Sequence, residues 1–202
     1  MSKVRIAVLI SGGGTNLQSI IDAVDSGELD LQIACVVSNR KEAFGLKRAE
    51  NAGIPAYYVG KGNYPEDQER ETALLNLLEK KKIDLIVLAG YLNILPSSVI
   101  GAYKDRIINI HPSLIPRHCG KGFYGMKVHE SVISSGDAVT GVTIHYVDEG
   151  VDTGKVIERV EIPVFESDMA ESLSKRVLVI EHELLVRVLK DLIENFGGRY
   201  ES

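Results

Sequence analysis

Val4-Arg5-Ile6-Ala7-Val8-Leu9-Ile10-Ser11-Gly12-Gly13-Gly14-Thr15-Asn16-Leu17 reads as a strand, a glycine turn and the start of a helix. The run from Val4 to Ile10 scarcely alternates, as expected of a strand buried on both faces of a mostly parallel sheet. Glycines let the backbone come close to a ligand, and the free N–H groups at a helix N-terminus attract an anion. In a doubly wound sheet such a turn lies at the carboxyl edge, where ligands collect. The turn therefore suggests both an α/β fold and a phosphate-binding loop.

Apolar runs of the same kind recur at 33–37, 85–89 and 107–110, with helix-like stretches at 16–24, 43–51 and 68–82 between them. Leu74, Leu77 and Leu78 repeat at helical spacing in the third of these. Lys80-Lys81-Lys82 follows at the negative end of its dipole, as a solvated helix terminus. Gly53-Ile54-Pro55 stops the second helix and starts a short strand around Tyr57-Tyr58-Val59. Strand and helix alternating in this way predict a doubly wound, mostly parallel α/β sheet. The second half departs from that pattern. Residues 139–147 and 156–164 alternate and predict an antiparallel addition at the sheet's edge. A long C-terminal helix from about Met169 to Gly197-Gly198 carries the stripe Leu173, Val177, Ile180, Leu184, Val188, Leu192. One domain spanning residues 1–202 is expected.

The net charge of -5 gives no basic field for nucleic acid. Two cysteines, Cys35 and Cys119, provide neither a disulfide framework nor a zinc signature. Apolar runs are too short to span a membrane. Met1-Ser2-Lys3 leads into the first strand without a cleavage site, so the cytoplasm is the expected setting.

The glycine turn limits which phosphate is bound. The dinucleotide fingerprint wants a third glycine where Leu17 stands, and an acidic residue where Ser38-Asn39-Arg40-Lys41 follows the second strand. Arg40 leaves room for an NADP phosphate, which keeps an oxidoreductase as an alternative. The Walker lysine is missing. What remains is a monophosphate or sugar phosphate held by Gly14, Thr15 and Asn16, with or without catalysis nearby.

Catalysis is suggested by Asn109-Ile110-His111-Pro112-Ser113-Leu114. Alternation points Asn109 and His111 the same way at a strand end, and Pro112 stops the ladder. An amide donor beside an imidazole suits a carbonyl reaction: the amide holds developing oxyanion charge while the imidazole moves a proton. His111, His129 and His145 lack acidic or histidine neighbours at ligand spacing, so no metal is expected.

These motifs, with Leu88-Ala89-Gly90-Tyr91, Gly141-Val142-Thr143-Ile144-His145-Tyr146-Val147-Asp148, Asp152-Thr153-Gly154 and Glu181-His182-Glu183, resemble the folate-dependent formyltransferases over essentially the whole chain. The likeness is to the phosphoribosylglycinamide formyltransferases of purine synthesis in particular. Methionyl-tRNA formyltransferases and formyltetrahydrofolate deformylases share the Asn-x-His-Pro-Ser motif and the later Asp. The N-terminal phosphate loop and the expectation of one domain favour the ribonucleotide enzymes.

The resemblance implies direct formyl transfer from 10-formyltetrahydrofolate, as co-substrate, to the amine of phosphoribosylglycinamide. Asn109 and protonated His111 would stabilise the oxyanion, and Asp152 would orient His111 and raise its hold on a proton. Gly14, Thr15 and Asn16 would hold the phosphate, and Glu181 the glycinamide end. Leu92, Asn93, Ile94 and Leu95, with the loop Asp148, Glu149, Gly150, Val151 and Asp152, would bind the pterin largely through backbone groups. His145 is expected to be a packed strand histidine. Partners are small molecules, with no nucleic acid or membrane, in a monomer or homodimer. Three departures from the family pattern stand out, one of them the loop from Cys119 to Gly125, which differs from the commoner proline-containing version. Leu178 occupies a place commonly polar, one helical turn before Glu181. Residues 65–70 offer only Arg70 where a basic residue would meet the folate tail.

Overall fold

Buried β-branched and leucine runs form the centre of the molecule. The computed structural model describes residues 3–197. Within them, β1 (Val4–Ile10), β2 (Leu31–Ser38), β3 (Ala56–Tyr58), β4 (Leu85–Leu88), β5 (Ile107–His111), β6 (Val139–Tyr146) and β7 (Val156–Pro163) build a seven-stranded sheet in the order β3-β2-β1-β4-β5-β6-β7. The first five strands run parallel. β6 pairs antiparallel with β5, and β7 antiparallel with β6. Ile6, Val8 and Ile10 face one core, and Ala7 and Leu9 face the other, so β1 is buried on both sides. That explains its unalternating sequence.

Helices cover both faces. α1 (Thr15–Asp25), α2 (Phe44–Asn51) and α6 (Ala170–Gly197) contribute Leu17, Ala49 and Leu184 to the first core. α3 (Asp67–Lys80) and α4 (Ser97–Ala102) contribute Leu74, Leu78 and Val99 to the second. On α6, Leu173, Val177, Leu184 and Val188 of the predicted stripe are fully buried, while Ile180 and Leu192 lie at its margin. Gly198, expected to stop this helix, and Met1-Ser2 lie outside the described residues.

Two helices escape the sequence reading. α4 is short and follows Pro96. α5 (Met126–Ser135) buries Val128, His129 and Val132, too few apolar positions to show a period, and ends on Gly136 at φ 65°. Strand order reverses between β1 and β4, so the turns after these strands diverge and leave a crevice at the carboxyl edge. No helix among the described residues is long and apolar enough to cross a membrane.

Candidate active site

Asn109 and His111 share a face of β5, as alternation requires. Antiparallel pairing sets Asn109 opposite His145 and His111 opposite Thr143, and opposed residues lie on one side of a sheet. Thr143 Oγ1 donates to the Ser113 carbonyl at 2.7 Å and accepts from the Ile115 N–H at 3.2 Å, fixing the chain beyond Pro112. His145 is buried but is more than packing, which corrects the expectation. Its Nδ1 lies 2.8 Å from the Tyr146 carbonyl, and a carbonyl only accepts, so Nδ1 carries the proton. Nε2 is left facing Asn109 Nδ2 at 3.1 Å.

Asp152 enters from the loop between β6 and β7 at φ 58°. Asp148 shapes this loop, its Oδ1 accepting from the Gly150 N–H at 3.1 Å and from Thr153 Oγ1 at 2.6 Å. Asp152 Oδ1 lies 3.5 Å from Asn109 Nδ2 and 3.6 Å from His145 Nε2. Its Oδ2 lies 3.8 Å from His111 Nδ1 and accepts from the Gly120 N–H at 2.8 Å. Burial pushes its pKa up; the His145 and His111 rings and the Gly120 N–H together hold it below the ordinary value. The three predicted residues therefore meet, with His145 as a fourth.

His111 has its resting charge set by burial. Its Nε2 lies 3.0 Å from the His118 carbonyl, so that nitrogen bears the hydrogen. Burial drives the imidazole pKa below its ordinary value; the His118 carbonyl and Asp152 oppose this and do not overcome it. With the ring only 5% exposed, desolvation of the cation wins, and the resting imidazole is neutral near pH 7 instead of protonated.

At the other end, Asn16 Nδ2 donates to Glu181 Oε2 at 3.1 Å, joining the first turn of α1 to α6. Burial raises the Glu181 carboxyl to about 7, with only Asn16 pulling it back. His129, on α5, is pushed down to about 4, mainly by burial, with the nearby His111 ring adding to the effect. Asn16 Oδ1 and His129 Nδ1 are buried without a hydrogen-bond partner among the described residues.

A cavity of about 780 Å³ joins both ends, within the usual range for small-molecule sites. Asn109, His111, His145 and Asp152 line it, as do Asn16 and Glu181. Of the predicted phosphate residues, Gly14 and Thr15 lie outside this lining. Gly14 has a packing reason for being glycine: at φ 71°, a Cβ there would come within 2.7 Å of Gly45 Cα. Gly12 and Gly13 face open space. Leu92, Asn93, Ile94, Leu95, Asp148, Gly150 and Val151 line the expected pterin region; Glu149 does not. The Leu92 N–H is already committed to Ser11 Oγ at 2.8 Å, which leaves its half-exposed side chain and its carbonyl for a ligand. Leu178 lines the cavity beside Glu181 as apolar wall. Arg70 lies outside the lining, its guanidinium donating to the carbonyls of Tyr64 at 2.7 Å and Pro65 at 2.6 Å. Among the described residues no group of three or more His, Cys, Asp or Glu is arranged to hold a metal ion.

The sequence profile of the family described as formyl transferase matches residues 4–189. A chloroplastic phosphoribosylglycinamide formyltransferase of Vigna unguiculata is 43% identical over 94% of this chain, which spans 61% of that protein's length. The phosphoribosylglycinamide formyltransferase of Haemophilus influenzae is 40% identical over 92% of the chain and 85% of its own. Glycinamide ribonucleotide transformylase 1 of Symbiobacterium toebii superposes with a TM-score of 0.89 at 37% identity, covering 96% of this chain and 89% of its own.

Proposed function

The chain belongs to the formyl transferase family, and on that premise we propose that it moves the formyl group of 10-formyltetrahydrofolate to the amine of 5'-phosphoribosylglycinamide, a step of de novo purine synthesis. The observation that carries the reading is the single cavity: the Asn109, His111 and Asp152 cluster at one end, Asn16 and Glu181 at the other. Formyl transfer, with the attacking amine, belongs at the first; the second takes the rest of the acceptor.

The amine attacks the formyl carbon directly, and negative charge develops on the formyl oxygen. As this intermediate collapses, the bond from the formyl carbon to the folate nitrogen breaks. The proton lost by the amine passes with the help of His111 to that departing nitrogen, releasing tetrahydrofolate. Asn109 donates to the formyl oxygen. A new anion beside His111 raises the ring's affinity for a proton and reverses the effect of burial, so the imidazole is charged when charge is needed. Asp152 faces the Nδ1 that receives this proton. Losing one oxyanion donor costs about 3 kcal/mol of transition-state stabilisation. Glu181 holds the glycinamide part of the acceptor; titrating near 7, its carboxyl changes charge easily as that group arrives. The phosphate lies along the glycine turn by Gly14, Thr15 and Asn16. The folate co-substrate lies against Leu92, Asn93, Ile94, Leu95 and the 148–152 loop. With the reading go small molecules as partners, a cytoplasmic setting and a monomer or homodimer.

An acceptor-dependent folate assay tests it. Formyl donor is consumed only when phosphoribosylglycinamide is present, and His111→Ala or Asp152→Ala abolishes turnover with the fold retained. Consumption with water alone identifies a deformylase instead. NADP binding without folate affinity defeats the reading altogether.

A further inference from the structure

The His118 carbonyl meets the His111 ring while the His118 side chain is anchored elsewhere, and nothing in the proposed chemistry accounts for that anchoring. The segment from His118 to Gly120 works as a clip on the reacting end of the cavity. The His118 carbonyl accepts from His111 Nε2 at 3.0 Å, and the Gly120 N–H donates to Asp152 Oδ2 at 2.8 Å. Two backbone groups, two residues apart, thus hold the two side chains that manage the proton. Peptide groups in a loop hold position only if the loop is tied down.

The tie is the His118 imidazole, its side chain 10% exposed. Nε2 lies 2.7 Å from Asp137 Oδ2, and a carboxylate only accepts, so Nε2 carries the hydrogen. Nδ1 lies 2.8 Å from Ser131 Oγ, on α5. Arg117 pairs with the other Asp137 oxygen. The backbone at His118 is left-handed, φ 51°, a conformation that surrounding contacts must support. The hydroxyl of buried Ser113 donates to the neighbouring Arg117 carbonyl at 2.7 Å, with the His118 carbonyl 3.2 Å from the same oxygen. The ring therefore links α5 and the turn after it to the carbonyl that sets which nitrogen of His111 is protonated.

We propose that His118 is a positioning residue: through Asp137 and Ser131 it fixes the 118–120 backbone, and that backbone fixes the tautomer of His111 and the place of Asp152. Its effect on rate rests on the formyl-transfer reading; its effect on His111 does not. The test combines steady-state kinetics with nitrogen-15 NMR of the His111 ring in the full chain. His118→Ala lowers kcat about tenfold, as small misplacements of catalytic groups do, with acceptor KM within about twofold. The His111 ring nitrogens shift from one tautomer toward a mixture. His118→Gln, whose amide donates to Asp137 and accepts from Ser131, restores most of both. Ser131→Ala, which removes one bond, falls between them and decides the matter if His118→Ala does not fold. Unchanged His111 resonances in the folded variants overturn the proposal, whatever the rate does. A parent protein without formyl transfer defeats the functional reading alone, because the NMR comparison still tells whether the clip holds.

Discussion

Glu181 and Asp152 are both carboxyls, both line the same cavity and both are nearly out of water, yet they settle on opposite sides of their ordinary range. Glu181, 8% exposed, accepts from Asn16, and burial carries it to about 7. The Asp152 side chain, 13% exposed, has the Gly120 N–H at 2.8 Å and two imidazoles within 4 Å, and these outweigh burial. Glu181 is the more deeply buried of the two, and it also has fewer groups that favour its anion. One end of the cleft therefore keeps a permanent negative charge, and the other keeps a carboxyl that changes charge near neutrality.

Neutralising the permanent anion has the largest expected effect. Asp152→Asn keeps the shape and removes the charge facing His111, so kcat falls by about a hundredfold to a thousandfold, the scale of losing a key electrostatic contact. Loss of less than about tenfold would mean that the two carboxyls do not differ in function as they do in charge. A stability titration gives a second reading. Because its folded pKa is lowered, Asp152 stabilises the native state above its unfolded value of 3.8, and this contribution fades as pH falls through the folded value. Asp152→Asn lacks that acid-dependent component.

Glu181→Gln comes next and acts with the opposite sign on stability. A raised folded pKa means that the native state holds its proton more tightly than the unfolded chain. Glu181 therefore costs stability progressively as pH rises from 4.5 to about 7. At about 1.4 kcal/mol per pKa unit the full cost is about 3 kcal/mol. The glutamine variant is accordingly more stable than the parent at pH 8, by on the order of 2 kcal/mol in chemical denaturation. It should bind the acceptor less well, and its kcat/KM profile should lose an apparent pKa near 7. A less stable Glu181→Gln protein would place the unprotonated carboxylate in the native state and erase the contrast with Asp152.

Residues visible in the sequence belong to the parts whose environment is periodic. β1, β2, β4 and β5 declared themselves because burial on both faces leaves an unbroken apolar run in each, and Asn109 with His111 because a strand end alternates. His145 needed the register of β5 against β6, and 27 residues separate His111 from Val139, so no tight turn fixes it. Asp152, in a loop at φ 58°, follows no period and was reachable only through family likeness. The anchoring of His118 was out of reach because Ser131 lies on α5, a helix with little apolar pattern. The resting state of His111 was not legible for a different reason: the family likeness supplies an acid beside the ring, whereas the desolvation that outweighs it shows only in the packing.

The glycine turn, at the Glu181 end, supports the smallest and most discriminating test. Gly14→Ala places a methyl within 2.7 Å of Gly45 Cα at φ 71°, so it should destabilise by about 1–2 kcal/mol. It also displaces the amides proposed to hold the phosphate, and acceptor KM rises. Gly12 has open space around it and no positive φ, so Gly12→Ala changes stability by at most about 0.5 kcal/mol. If the phosphate is held at residues 14–16, acceptor KM in Gly12→Ala stays within about twofold of the parent. A larger rise there, with stability intact, would move the phosphate outward to Gly12 and Gly13. Gly14 would then be glycine for the contact between α1 and α2 alone.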